Sequence, residues 1–486
     1  MAGELEEQNK REPNKSARSE TAKTDTARRE EEVLQFWKEK GIFQKTLQKD
    51  APEGEFVFYD GPPFATGLPH YGSLLSSIIK DVVPRYKTMR GYHVRRVWGW
   101  DCHGLPIENM IEKELGLKSK KDILELGIDK FNETCRRAVL RFAEEWEKYI
   151  DRVGRWVEFK GAYKTMDNSY IESTWWALKQ AYNKGLLYEG RKVLLYCPHC
   201  ETPLAKAEIA MDNSYKDVTE ESVTVAFRLK DELNTHVLAW TTTPWTLPGN
   251  VALAVHPEIA YVTLEKNVGG QSKRYLLAKD RLETVFPDGG YSIVEEKKGD
   301  ELVGLSYEPL FDIPKVAAQN KKNAFTILPA KFVMTDEGTG IVHTAVIYGE
   351  DDYNLGLEHD LPMVPLLDQS GNFNDDAPEL VRGQYFKKAE RAIKENLESR
   401  ELLFAKERYT HSYPHCHRCG TAVIYNALVS WFIDIQKIKD RMLETNEDIN
   451  WVPNYLKHGR YKHILESAPD WTISRNRFWA SPMPIW

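Results

Sequence analysis

The spacing of apolar positions changes character several times along the chain, and each change marks a region. Residues 1 to about 30 mix Glu, Lys, Arg, Ser and Thr with almost no apolar side chains, which predicts a disordered charged tail. From Glu31 onward, Val33, Leu34, Phe36 and Trp37 give a helix one apolar face. A strand is expected over 55–59, and the loop Asp60-Gly-Pro-Pro-Phe-Ala-Thr-Gly-Leu-Pro69 follows it. Leu74, Leu75, Ile78, Ile79, Val82 and Val83 then recur at helical spacing. A second apolar segment, 92–98, runs into Gly99-Trp-Asp-Cys-His-Gly-Leu-Pro106. Strand, glycine-rich loop, helix and strand open a doubly wound α/β sheet.

Residues 120–190 read as helical, with aromatic-rich runs such as Ser173-Thr-Trp-Trp-Ala-Leu-Lys-Gln-Ala-Tyr182. From about 220 to 345, short β-rich runs (222–229, 251–255, 261–264, 324–328) alternate with Gly, Pro and Asn and predict a β-rich domain with its own core. After about 405 the aromatic, helical pattern returns. The expected division is a charged tail over 1–30 and the first half of a doubly wound α/β domain, with a helical connective region, over 31–200. A β-rich domain spans 201–405, and the start of the second half of the α/β domain spans 406–486.

Composition narrows the class. A chain of 486 residues is too long for one compact core. No apolar stretch approaches the roughly 20 residues of a membrane span, and the N-terminus has no apolar secretory core, so a cytoplasmic protein is expected. The net charge of −7 gives no global basic signature, so any nucleic acid must be met by local patches.

Four of the six cysteines form two Cys-x-x-Cys pairs, Cys197-Pro-His-Cys200 and Cys416-His-Arg-Cys419. Each pair can place two thiolates on one metal, and four thiolates close a tetrahedral structural Zn2+ site with no open position for catalysis. If both pairs hold one ion, the residues between them form an insertion whose ends meet at the metal. His199, His411, His415 and His417 are nearby alternatives, and plain buried cysteines are the bland one.

His70-Tyr-Gly-Ser73 follows the first loop and opens a helix, where backbone amides favour phosphate and an imidazole can donate to it as charge builds. Gly72 would admit a nucleotide close to the backbone. Taken with Asp60-Gly-Pro-Pro-Phe-Ala-Thr-Gly-Leu-Pro-His-Tyr-Gly72, this stretch resembles the first signature of class I aminoacyl-tRNA synthetases. Gly99-Trp-Asp-Cys-His-Gly-Leu-Pro-Ile-Glu108 and Ser474-Arg-Asn-Arg-Phe-Trp479 are similar to the isoleucyl members, and the resemblance runs in order from about residue 31 to 486.

The resemblance implies ATP-dependent attachment of isoleucine to tRNA(Ile) through an aminoacyl adenylate, with Mg2+, by a monomer. It places Gly61, Pro62 and Asp101 at the amino acid, Asp101 facing the ammonium, and His70, Gly72 and Ser73 at ATP. Ser73 departs from the family's second histidine; a hydroxyl there is shorter and carries no charge. The family's Lys-Met-Ser-Lys-Ser loop occurs nowhere in the sequence, so a fragment without useful adenylate formation is expected.

Within the β-rich region, Trp240-Thr-Thr-Thr-Pro-Trp-Thr-Leu-Pro-Gly-Asn250 clusters hydroxyls beside rigid prolines, a pattern that also suits a satisfied strand end. Gly338-Thr-Gly-Ile-Val-His343 precedes Gly349-Glu-Asp-Asp-Tyr353, and glycines, a histidine and carboxylates suit a small polar pocket. Both stretches resemble the editing domain of isoleucyl, valyl and leucyl synthetases. By that resemblance Thr241, Thr242 and Thr243 meet the aminoacyl ester and its water, His343 lines the pocket and Asp352 holds the α-amino group. Ala345-Val346 stands where the family commonly shows Ala-Pro. One methylene is worth only about 1–3 kcal/mol in an apolar pocket, isoleucine against valine being the standard illustration, so a second site must remove Val-tRNA. The alternatives are an editing-only deacylase, a valyl or leucyl relative, and a zinc-stabilised RNA-binding module.

Overall fold

The computed structural model describes residues 23–209, 214–232 and 234–485. It divides into two compact units, one of residues 1–103 with 133–171, the other of 104–132 with 172–486. This differs from the expected division, which left 31–200 together. No helix among the described residues is long and apolar enough to cross a membrane.

In the first unit the chain is helical from Asp25, not from Glu31. Thr24 caps that helix, Asp25–Glu39, by accepting the Ala27 amide at 3.2 Å. The expected tail is therefore corrected over 25–30, and its residues 1–22 lie outside the described ones. The expected strand over 55–59 reduces to a single parallel bridge, Glu55 to His93. The true strand beside the second motif is Val97–Trp100, parallel to Glu158–Lys164, a strand inside the region read as helical. The apolar spacing after His70 gives helix Tyr71–Met89. Much of that apolar face is open: Tyr71, Leu75, Ile79 and Val82 are all exposed.

The second unit contains a nine-stranded sheet. Its central strands are Thr235–Thr241, Val342–Thr344 and Ala252–Val255, with Val342–Thr344 parallel to the first and antiparallel to the last. Strand Tyr215–Arg228 pairs with Thr235–Thr241 on one side and with Leu403–Pro414 on the other. The two ends of the β-rich region thus run antiparallel along each other, and the insertion closes on itself as the cysteine spacing implies. Its sheet extends to Pro414, past the expected limit of 405. The helical reading after 405 is corrected, since Leu403–Pro414 and Ile424–Ile433 are long strands. Ile424–Ile433 pairs with Leu187–Cys197 in a separate four-stranded sheet. Alternating β-branched and aromatic residues explain these strands, and the core of the insertion is built from Val225, Phe227, Val237, Leu253, Tyr307 and Ile327.

Candidate functional site: a cleft at a helix start, a polar cluster in the insertion and a cysteine knuckle

In the first unit His70 caps helix Tyr71–Met89. Its Nδ1 accepts the Gly72 amide at 3.1 Å, and its own amide donates to Ser73 Oγ at 3.3 Å, a reciprocal capping box. The cap gives Gly72 and Ser73 local structural roles, separate from the expected contact with a nucleotide. Gly72 is required by the cap itself, because a Cβ there would stand 2.8 Å from the His70 ring. Ser73, buried, is the partner of the His70 amide. With Nδ1 accepting, the proton of neutral His70 sits on Nε2 and is free to donate.

Gly61, His70, Gly72 and Ser73 line one cleft of about 390 Å³ with Asp60, Lys80 and Arg155. Asp60 is ion-paired to both Lys80 and Arg155. These three charged residues were not singled out from the sequence, where only Asp60 falls inside a motif. Pro62 and Asp101 are not among the residues lining that cleft. Asp101 follows strand Val97–Trp100, donates its amide to the Pro63 carbonyl at 2.9 Å and bridges Phe64. It therefore stands at the carboxyl end of a parallel strand, where α/β sheets bind ligands. Burial pushes its carboxyl up, against hydrogen bonds from the His103 amide, Thr165 and the Cys102 amide.

In the insertion, the end of strand Thr235–Thr241 turns into the 3-10 helix Pro244–Gly249, started by Pro244. Thr241 Oγ1 accepts the Thr243 amide at 3.1 Å and lies 3.2 Å from Thr243 Oγ1. Thr243 Oγ1 is 3.4 Å from Thr246 Oγ1, which is 2.8 Å from His343 Nε2. Thr241, Thr243 and His343 are thus joined through Thr246, a residue not picked out in advance. Thr242 stands between them, half-buried, outside this hydrogen-bonded set. His343 Nδ1 faces the Asn250 side chain at 3.3 Å, and burial pulls the imidazole down to about 4, so it is neutral.

Asp352 is the third residue of helix Glu350–Glu358. Its carboxylate packs so closely on the Cα of Gly349 that no side chain could replace that glycine without displacing it. Among the described residues no hydrogen bond or salt bridge reaches this half-buried carboxylate, nor does any join it to the threonines. Burial first, and then the Asp351 charge, push it up to about 7. A cavity of the insertion of about 600 Å³, lined by Tyr275, Phe286 and Phe404 among others, contains none of these residues.

The four cysteines converge. Their sulfurs all lie within 4.8 Å of one another, and Cys197 and Cys419 are 3.5 Å apart. Four sulfurs at ~2.3 Å from one ion in a tetrahedron stand ~3.8 Å apart, so the donor set fits zinc. Cys200 donates its amide to Cys197 Sγ at 3.4 Å, and Gly420, at φ 76, donates to the Cys416 carbonyl at 2.8 Å. Both are knuckle turns. Without a cation the Cys200 thiol is pushed up, by Cys197 first, then Cys416, Cys419 and burial.

The knuckle packs on Leu105, the first residue of helix Leu105–Leu115. That helix carries a residue whose long-range partners the sequence did not reveal. The buried Glu108 Oε1 accepts both the Phe478 and the Trp479 amides at 2.7 Å, while Gly104 donates to the Trp479 carbonyl at 3.0 Å. Lys120 Nζ donates to the Asn476 carbonyl at 2.7 Å and to the Glu201 carbonyl beside the knuckle at 3.2 Å. Gly104 has φ 95 and ψ −172, a region essentially open to glycine alone.

Residues 32–486 match the family model for tRNA synthetases class I (I, L, M and V), and the chain belongs to that family. The isoleucine--tRNA ligase of Treponema denticola is 46% identical over 95% of the chain, and that of Chlamydia trachomatis serovar L2 is 46% identical over 94%. In each case the chain spans 44% of the relative's length. A solved leucyl-tRNA synthetase editing domain from P. falciparum aligns over 39% of the chain and 99% of its own, with 13% identity and a TM-score of 0.29, too loose a likeness to argue from.

Proposed function

We propose that the chain is the part of an ATP-dependent isoleucine--tRNA ligase that holds the first half of the adenylate site and a complete hydrolytic insertion acting on Val-tRNA(Ile). Isoleucine would meet Gly61, Pro62 and Asp101, with the Asp101 carboxylate toward its ammonium. ATP with Mg2+ would meet the helix start at Gly72 and Ser73, where the Nε2–H of His70 is free for a phosphate oxygen. Zn2+ at Cys197, Cys200, Cys416 and Cys419 would be structural, cross-linking the two ends of the insertion.

The observation that carries the hydrolytic part is Asp352. A half-buried carboxylate that no hydrogen bond or salt bridge reaches among the described residues, held up to about 7, is poised for a cation, and a substrate α-ammonium supplies one. Thr241, Thr242, Thr243 and His343 then face the ester and its water. The test compares Val-tRNA deacylation by the chain and by Asp352→Ala, with Asp351→Ala as the control. Loss in the first variant and retention in the second support the assignment. The opposite pattern moves the role to Asp351, and no effect in either removes it.

A second reading, that the isolated chain acts only as an aminoacyl-tRNA deacylase, draws on helix Tyr71–Met89. Its exposed apolar face at the nucleotide end has no cover among the described residues, while the insertion's core is closed. ATP–pyrophosphate exchange with isoleucine separates the two readings.

A further inference from the structure

Tyr307 is fully buried, its ring edge-on to Phe227 and Phe325, and neither motif includes it. Its hydroxyl lies 2.7 Å from Asn250 Oδ1. An amide oxygen only accepts, so the phenol must donate. This turns Asn250 Nδ2 the other way, where it donates to the Ala252 carbonyl at 2.9 Å and to His343 Nδ1 at 3.3 Å. A ring nitrogen that accepts carries no proton, so the hydrogen of neutral His343 sits on Nε2, 2.8 Å from Thr246 Oγ1. Thr246 Oγ1 takes that bond and gives its own hydrogen to the Thr243 carbonyl at 2.8 Å. Each donor direction is forced by the preceding one, so the chain of hydrogen bonds has a single polarity, running from Tyr307 toward the threonines.

We infer that Tyr307 and Asn250 are positioning residues that hold His343 as its Nε2–H tautomer, making the imidazole a fixed donor to the threonine cluster and not a proton acceptor. The only unprotonated nitrogen of His343 faces the Asn250 amide, on the side away from Thr246. A water among the threonines therefore finds no base in this ring. The inference rests on the hydrolytic reading for its role in catalysis, but the tautomer is measurable without it.

The test uses the whole chain labelled with 15N-histidine. Long-range proton–nitrogen correlation distinguishes protonated from unprotonated ring nitrogens, and His343→Gln assigns the signal. The expected result is unprotonated Nδ1 and protonated Nε2 throughout about pH 6 to 9. Asn250→Asp replaces the donor with an acceptor of the same shape and should move the proton to Nδ1. Tyr307→Phe should lower kcat for Val-tRNA deacylation roughly fivefold, the loss of one neutral hydrogen bond, with KM within about twofold. An Nδ1–H tautomer in the unaltered chain overturns the inference, as does an unchanged tautomer in Asn250→Asp or an unchanged kcat in Tyr307→Phe. Should the unaltered chain deacylate nothing, the hydrolytic reading fails, while the spectra of the chain and of Asn250→Asp still decide the tautomer.

Discussion

Replacing Asp352 with Asn separates a carboxylate waiting for a ligand from one that supports the fold. The folded chain holds this carboxyl at about 7 because ionising it there buries an uncompensated charge beside Asp351. An unfolded aspartate titrates at ~3.9, so the folded state binds the proton more tightly. A proton is therefore taken up on folding between about pH 4 and pH 7. Stability is present in full below the unfolded value and is lost as pH rises through the folded one, by at most about 4 kcal/mol at ~1.36 kcal/mol per decade of proton affinity. Asparagine has the same shape and never ionises. Urea unfolding at pH 5 and pH 8 should thus show Asp352→Asn gaining on the unaltered chain by roughly 3 kcal/mol between the two conditions. Carboxylates other than the neighbouring Asp351 cancel in that comparison. The same variant should lose Val-tRNA deacylation, since a neutral amide cannot hold the ammonium by charge. A variant less stable at pH 8 than the unaltered chain, or a difference that does not change with pH, would refute the reasoning and make Asp352 a structural residue.

The cysteine knuckle should carry one zinc per chain, and Cys416→Ser should lower the content measured by elemental analysis; an unchanged content would exclude the site. Chelation should leave the hydrogen-exchange protection of Val237 and Leu253 intact while loosening residues 197–201 and 416–420, because the insertion has its own apolar core. Glu108→Ala removes two charge-assisted bonds and strands two amides, at a cost of about 3–5 kcal/mol, whereas Glu108→Gln keeps an acceptor and should cost about half as much. Exchange of the Phe478 and Trp479 amides, faster by roughly a hundredfold in the alanine variant, is the readout, and equal rates in both variants would contradict the clamp. Ser73→Ala should cost about 1 kcal/mol through the lost capping box, read in thermal unfolding; no change would leave the serine unexplained.

What was legible in the sequence follows from how local each signal is. The two Cys-x-x-Cys pairs state their chemistry in four residues, and the structure brings all four sulfurs together. The 70–73 segment was readable as a helix start because capping is decided within three residues. The Thr241 and His343 stretches were readable as clusters of polar groups, but their connection runs through Thr246 and Asn250, whose roles depend on strand register. Tyr307 gave no signal, since a buried tyrosine in an isolated bridge looks the same whether its hydroxyl is structural or positioning. Glu108 lay inside a quoted motif, yet its partners are some 370 residues away. The strands at Glu158–Lys164 and Leu403–Pro414 were missed because their Lys, Glu and Arg content masks alternation, pairing along the sheet prevailing over local propensity.

The most direct measurement presents the chain with tRNA(Ile) charged with valine and, separately, with isoleucine, and follows release of the amino acid. If the insertion is an editing pocket too small for isoleucine, Val-tRNA(Ile) is deacylated well above the spontaneous rate, Ile-tRNA(Ile) is spared, and Asp352→Ala abolishes the difference. Equal hydrolysis of both substrates, or of neither, would contradict the account.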